Sequence, residues 1–290
     1  MMLIRLGYEI AIECPRPTPV FSLLEIHRDR EHDIRRQTRV LTSPKVSTRV
    51  YVDRYGNYCR RLVAPEGGVR LLYDAVVEDS GAPDRVKPGA PIANVEDLPD
   101  DVVVYLLGSR YCETDHLSQL AWNLFGHLPR TWELVQAIVD YVHDRLAFGY
   151  GYARRTRTAA QANEERVGVC RDFAHLAIAL CRCMNIPARY VNGYLGDIGV
   201  PQDPAPMDFS AWMEAYIDGE WYTFDARHNK RRIGRVVIAR GRDATDVPLL
   251  HTFGDHRLTF FKVWTYEQEV YPATPPMHGI DRTLTESVLA

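Results

Sequence analysis

The sequence predicts an α+β fold, in which a β-rich N-terminal region is followed by helices and then by further strands. Three observations predict this class. Alternating or continuous β-prone segments fill the first 80 positions, three amphipathic helical segments follow, and β-prone segments return after residue 187. Strands and helices that are grouped along the chain in this way are typical of α+β proteins.

The composition is that of an ordinary globular protein and excludes several classes. Of the 290 residues, 46% are hydrophobic and 25% are charged, with a formal net charge of −3. This balance shows no nucleic-acid footprint, and no apolar run is long enough to span a bilayer. We therefore expect neither a nucleic-acid partner nor a membrane partner. Six scattered cysteines and a poor signal peptide favour reduced thiols and a cytoplasmic location.

Residues 1–110 are predicted to form the β-rich domain, and residues 111–290 the core with the C-terminal strands. A Gly-Asn pair divides one β-prone stretch into two strands, and a connector rich in Pro, Gly and Asp follows the last strand. These strands are predicted within residues 4–14, 49–64 and 69–79, and the connector at 79–100.

The core begins with three predicted helices and continues with strands. Asp218-Gly219 is a strong hairpin signal between two of these strands. Helices are predicted at residues 114–126, 131–148 and 169–185, and strands at 188–195, 211–217, 220–226, 231–240 and 257–267.

Cys170 opens the third helix and is the first candidate for chemistry. The unpaired amides of a helix N-terminus create a partial positive field, which favours a thiolate. We therefore expect the pKa of Cys170 to be lowered. The alternative is a small residue that merely packs at a strand-to-helix corner.

Asp225 is the second candidate, at the end of the strand predicted over 220–226. A carboxylate at a strand end can orient an imidazole, as the third member of a trio of nucleophile, base and orienting group. A turn residue or a helix cap is the alternative.

Together these segments resemble the transglutaminase-like superfamily of cysteine enzymes, and especially its bacterial branch described as cysteine proteases. The resemblance is carried by Gly168-Val169-Cys170, Ile186-Pro187-Ala188-Arg189, Ala211-Trp212, and Trp221 with Asp225. It implies a papain-like core, in which the helix bearing the cysteine packs on an antiparallel sheet. It also implies that Cys170 is the nucleophile and Asp225 the orienting carboxylate, with no metal site and no cofactor.

One position departs from the family pattern. Where the family carries His before Ala-Trp, this chain has Ser210. A hydroxyl could bridge Cys170 and Asp225 by hydrogen bonds, but it cannot hold a proton near pH 7 as an imidazole does. Ser210→His is therefore expected to raise amidase activity at least about tenfold, a fraction of the ~10²–10⁴ that a positioned base contributes.

His228 is the best candidate for a substitute base, because it lies three residues after Asp225 and a tight turn would bring it toward the thiol. A surface or core-edge histidine is the alternative. His175 lies on the same helix as Cys170, about 140° around it, and is predicted to point elsewhere.

Three aromatic residues are expected to line the cleft: Trp212, Trp221 and Tyr150. Aromatic packing is the alternative for Tyr150. The basic stretch from Arg227 to Arg242 is interpreted as a solvated face.

The resemblance implies thiol-dependent acyl chemistry on peptide or glutamine-type amides, through a thioester on Cys170. Either water or an amine would resolve the thioester, and the sequence leaves this choice open. The expected partner is a peptide or protein substrate. The rival hypothesis is a catalytically impaired binding module, because Ser210 stands at the family histidine position.

Overall fold

The computed structural model describes residues 1–268, so the end of the predicted core, 269–290, lies outside the described residues. The strands are β1 (Met2–Glu13), β2 (Thr18–Ser22), β3 (Ile34–Gln37), β4 (Leu41–Ser43), β5 (Thr48–Val52), β6 (Tyr58–Ala64), β7 (Val69–Asp79), β8 (Ala147–Phe148), β9 (Val167–Gly168), β10 (Ala188–Leu195), β11 (Ser210–Ile217), β12 (Glu220–Phe224), β13 (Arg235–Gly241), β14 (Leu250–Thr252) and β15 (Arg257–Gln268). The α-helices are α1 (Asp100–Val103), α2 (Thr114–Phe125), α3 (Trp132–Arg145), α4 (Ala159–Glu165) and α5 (Cys170–Cys183). Short 3₁₀ helices lie at Arg28–Asp33, Val95–Asp97, Val104–Leu106 and Tyr150–Tyr152.

The core sheet has the strand order β12-β11-β10-β13, and its strands are antiparallel. Helix α5 packs against β10 and β11 and is flanked by α2, α3 and α4, so nearly all of it is buried. The turn between β11 and β12 places Asp218 at φ 48° and Gly219 at φ 81°. Both angles are positive, as a two-residue type I′ hairpin requires. The fold is α+β, as the sequence predicts.

Two antiparallel sheets form the N-terminal part. One has the order β15-β1-β7-β3, with β4 also paired to β7, and the other has the order β14-β2-β6-β5. Strand β15 pairs with β1 along its length, from Gln268 opposite Leu3 to Arg257 opposite Glu13. The two C-terminal strands, β14 and β15, therefore complete the N-terminal sheets and lie outside the core sheet. A strand pattern marks a strand, but its partner is chosen by long-range packing. The boundary near residue 110 stays a prediction.

The N-terminal sheets and the core share one hydrophobic cluster. Phe209 connects them, because its ring packs 6.3 Å from the ring of Tyr8 on β1 and 5.2 Å from that of Tyr194 on β10. These contacts hold the entry to β11, where Ser210 begins the strand. In residues 1–268, none of the helices has the length and apolar character that crossing a bilayer demands.

Candidate active site

The turn before α5 determines where Cys170 lies. Asp172, in the first turn, accepts a hydrogen bond from the backbone N–H of Val169 at 2.9 Å and is held by Arg157 at 3.2 Å. A Cβ on Gly168 would lie 2.6 Å from the Cβ of Asp172, so only glycine fits beside this cap. The local sequence therefore fixes Cys170 as the first residue of α5.

The Cys170 thiol lines a cavity of about 310 Å³ between α5, the start of β11 and the loop over residues 196–209. Cys170 is partly exposed as a residue, whereas the other five cysteines are buried. Burial raises the pKa of Cys170, although the charge of Arg227 and a hydrogen bond from the N–H of Ala211 oppose the rise. The expected lowering of this pKa is therefore wrong: the cost of taking a thiolate out of water exceeds what its neighbours return.

Asp225 follows β12 directly and its carboxylate is almost fully buried. Its Oδ1 accepts hydrogen bonds from the backbone N–H groups of Arg227 and His228, both at 3.1 Å. Its Oδ2 accepts from Nη2 of Arg235 at 2.8 Å. Burial by itself would raise the pKa of Asp225, but the Arg235 charge and a hydrogen bond from His228 hold this pKa well below its ordinary value. The carboxylate is therefore ionised throughout the neutral range.

His228 is brought back onto Asp225 by the turn that follows β12. Its Nδ1 lies 2.9 Å from Oδ2 of Asp225. Because an ionised carboxylate only accepts hydrogen bonds, Nδ1 carries the hydrogen and Nε2 is left to exchange a proton. The imidazole is a quarter exposed and lines the same cavity as Cys170.

Ser210 lies opposite Gly193 on β10 and is 6% exposed. Ser210 lines the cavity, but its Oγ has no hydrogen-bond partner in the described part of the chain. The expected bridge from Cys170 to Asp225 through this hydroxyl is therefore absent, because other donors already occupy the carboxylate.

The three aromatic residues expected at the cleft separate in the structure. Tyr150 lines the cavity. Trp212 is 1% exposed, packs with Val191 and Val237, and carries the guanidinium of Arg235 at 4.8 Å from its ring centre. Neither Trp212 nor Trp221 is among the described residues that line the cavity. Trp212 is occupied by its packing on Val191, Val237 and Arg235, so its place in the shared motif does not make it part of the cleft.

Trp221 also packs among side chains that do not line the cavity. Its ring meets Tyr105 and Tyr216 edge-on, each at 5.2 Å, and Arg189 lies 4.0 Å from its ring centre. These aromatic and cation–π contacts stabilise the core sheet and the pairing of β11 with β12.

The cavity walls carry charges of both signs. Arg227 lies over the ring of Phe148 at 3.7 Å, and Arg232 donates to the carbonyl of Gly196 at 2.9 Å. The remaining charged residues of the lining are Asp197, Asp203 and Asp208. Arg232 and Arg235 are buried, so the basic stretch is not wholly a solvated face.

The other histidine near Cys170 in sequence has a structural role. His175 is fully buried, stacks on Tyr111 at 5.0 Å, and accepts a hydrogen bond from the N–H of Ala244 at 3.1 Å. Burial lowers the pKa of His175 to about 3. Residues 1–268 contain no group of three or more His, Cys, Asp or Glu side chains that could hold a metal ion.

Comparison with known proteins defines the family. The model of the transglutaminase-like superfamily matches residues 119–226. A crystal structure from Cytophaga hutchinsonii, described as that of a "putative cysteine protease", superposes with a TM-score of 0.79 and 31% identity, covering 93% of this chain and 92% of that one. The chain belongs to the transglutaminase-like superfamily.

Two uncharacterized mycobacterial proteins are also similar. One from Mycobacterium leprae is 31% identical over 129 residues, covering 42% of this chain and 44% of that protein. One from Mycobacterium tuberculosis is 28% identical over 221 residues, covering 68% and 69%. The chain thus spans less than half of the first relative.

Two residues of the site carry no sequence signal of their own. Arg235 binds Asp225, and Asp84 binds Arg235 from a segment 151 positions away. A partner so distant is visible only in the folded chain.

Proposed function

We propose that this protein is a thiol-dependent acyl-transfer enzyme that acts on peptide or glutamine-type amides. Cys170 is the nucleophile, His228 the general base and Asp225 the group that orients the imidazole. The observation that carries the proposal is the hydrogen bond of 2.9 Å between His228 and Asp225, at a cavity that His228 shares with Cys170.

The steps follow from these positions. The sulfur of Cys170 forms a bond to the amide carbonyl carbon as the thiol proton passes to Nε2 of His228. The carbon–nitrogen bond then breaks, and the leaving amine takes that proton, which leaves a thioester on Cys170. Water or a second amine attacks the thioester carbonyl carbon and gives its proton to His228. The carbon–sulfur bond then breaks, which releases the acid or a new amide, and the sulfur of Cys170 takes the proton back from His228. Asp225 stabilises the imidazolium at each stage.

A thiol with a raised pKa suits base-assisted attack. Because burial keeps Cys170 protonated at neutral pH, the proton must be removed as the sulfur attacks. This requirement makes an oriented imidazole necessary, and His228 supplies it where the family histidine position holds Ser210.

The name of the Cytophaga relative favours hydrolysis of peptide bonds as the outcome. We also propose a reducing, cytoplasmic setting, because all six cysteines are free and five of them are buried thiols.

A second candidate function is a binding module that uses the cavity without turnover. The raised pKa of Cys170 favours it, since a thiol that stays protonated is inert toward amides unless a base acts on it. Recognition of a peptide in the same cavity would then be the activity.

The test is to trap the acyl-enzyme. The protein is incubated with a library of peptide amides and glutamine-containing peptides, with and without an added primary amine, and analysed by intact mass spectrometry. We expect a thioester adduct on Cys170 that is lost in Cys170→Ser and retained in Cys183→Ser, a substitution at the other end of α5. Peptide binding without any adduct or product would favour the binding module instead.

A further inference from the structure

Behind Asp225 lies a second, partly buried carboxylate, Asp84, whose side chain is 14% exposed and which is connected to Asp225 through one arginine. Nε of Arg235 lies 3.0 Å from Oδ2 and 3.2 Å from Oδ1 of Asp84, while its Nη2 lies 2.8 Å from Asp225. The side chains of Arg235 and Asp225 are 6% and 2% exposed. Arg235 therefore bridges two carboxylates through two different donor nitrogens of one guanidinium, which a planar fork of donors permits.

Arg235 has little freedom to move. Its guanidinium lies 4.8 Å from the ring centre of Trp212, so a buried aromatic face supports it between the two carboxylates. The indole can lie there because Gly193 has no Cβ, which would fall 2.5 Å from the Trp212 ring. The tryptophan thus contributes a support for Arg235 and not a wall of the cleft.

Asp84 belongs to the connector that leaves β7, and it is fixed from both sides. Its N–H donates to the carbonyl of Arg232 at 2.9 Å, and the N–H of Arg232 donates back to its Oδ2 at 2.9 Å. Nε of Arg231 donates to the carbonyl of Asp84 at 2.7 Å. The connector is therefore attached to the loop that carries His228.

We propose that Asp84 and Arg235 are positioning residues that act on the His228–Asp225 pair, so that the connector from the N-terminal sheets is a working part of the active site. This inference rests on the proposed function. Arg235 holds Oδ2 of Asp225 where His228 can share it. Charge gives Asp84 a second role, because Arg235 with Asp225 alone would be neutral, whereas Asp84 restores one net negative charge. That charge stabilises the imidazolium that forms when Cys170 gives up its proton.

The experiment measures alkylation of Cys170 by iodoacetamide near neutral pH, read by peptide mass spectrometry on the full chain. This readout requires no knowledge of the substrate. We expect Asp84→Asn to slow alkylation about tenfold, the size of a charge interaction at a partly buried site. His228→Gln should slow it at least as much. Adding Asp84→Asn to His228→Gln should slow it no further, because a positioning residue acts through its partner.

Asp74→Asn is the matched control, since Asp74 is similarly buried and binds Arg5 and Arg36 in the N-terminal sheet. It should leave the alkylation rate unchanged. If circular dichroism shows that Asp84→Asn does not fold, Arg235→Lys replaces it, because an ammonium keeps the charge but cannot bridge both carboxylates as a fork does.

The outcomes separate the two proposals. Parent-like alkylation in His228→Gln would refute the proposed function, and the inference with it. Slow alkylation in His228→Gln with parent-like alkylation in folded Asp84→Asn or Arg235→Lys would overturn the positioning role alone. Equal slowing by Asp84→Asn with and without His228 would also overturn it, since the residue would then act elsewhere.

Discussion

Substitution of His228 by glutamine tests the assignment of the base most directly. Glutamine keeps a polar side chain but cannot accept and return a proton. We expect kcat on an amide substrate to fall by about 10²–10⁴, the usual contribution of a positioned general base. That loss corresponds to about 3–5 kcal/mol of transition-state stabilisation.

The structure predicts that the fold survives this change. Asp225 keeps three of its four donors, because two are backbone N–H groups and the third is Arg235. Removing one hydrogen bond to a charged, buried acceptor costs about 1.5–3 kcal/mol of the free energy of unfolding. For a chain of this length that is a decrease of about 2–5 °C in Tm.

The assay compares kcat and Tm for the parent, His228→Gln and His251→Gln. His251 is exposed on β14 and is absent from the described lining of the cavity, so its variant controls for the chemical change alone. A folded His228→Gln protein whose kcat stays within about threefold of the parent would refute the reasoning, because a general base contributes far more than that.

Three further predictions concern the thiol, the serine and the carboxylate. In the native protein iodoacetamide should label Cys170 alone among the six cysteines. The labelling rate should still rise above about pH 8.5, because burial raises the pKa of Cys170. Peptide mass spectrometry across pH checks this, and a rate that reaches its plateau at neutral pH would contradict it. Ser210→Ala should keep kcat within about fivefold of the parent, and Ser210→His should not raise kcat. The reason is that both oxygens of Asp225 already accept hydrogen bonds and that the serine is buried. A large rise of kcat in Ser210→His would restore the expectation drawn from the family pattern. The lowered pKa of Asp225 stabilises the fold above the ordinary carboxyl pKa of about 3.9, and this contribution is lost as pH falls below it. Urea unfolding at neutral and acid pH should therefore show that acid lowers the free energy of unfolding less in Asp225→Asn than in the parent. An equal decrease in both proteins would contradict the assignment.

The sequence determined the parts of the site that depend on local pattern. The helical stripe after Cys170 fixed the residue at a helix start, and the Asp218-Gly219 turn set the register that carries Asp225 to the end of β12. A spacing of three residues made His228 the first choice of substitute base, and the turn after β12 does place its imidazole on Asp225. These features depend on residues that are close together in the sequence, so they can be predicted from the sequence alone.

The tertiary structure decided the properties that depend on which distant segments pack against a side chain. The pKa of Cys170 rises because distant segments remove water from the thiol, a cost that the helix pattern does not reveal. Trp212 supports Arg235 instead of lining the cleft, and β15 completes the N-terminal sheet beside β1. Asp84 reaches the site from 141 positions before Asp225 through Arg235. Each of these contacts is made between segments far apart in the chain, and only the packed fold brings their charges and surfaces within reach of one another.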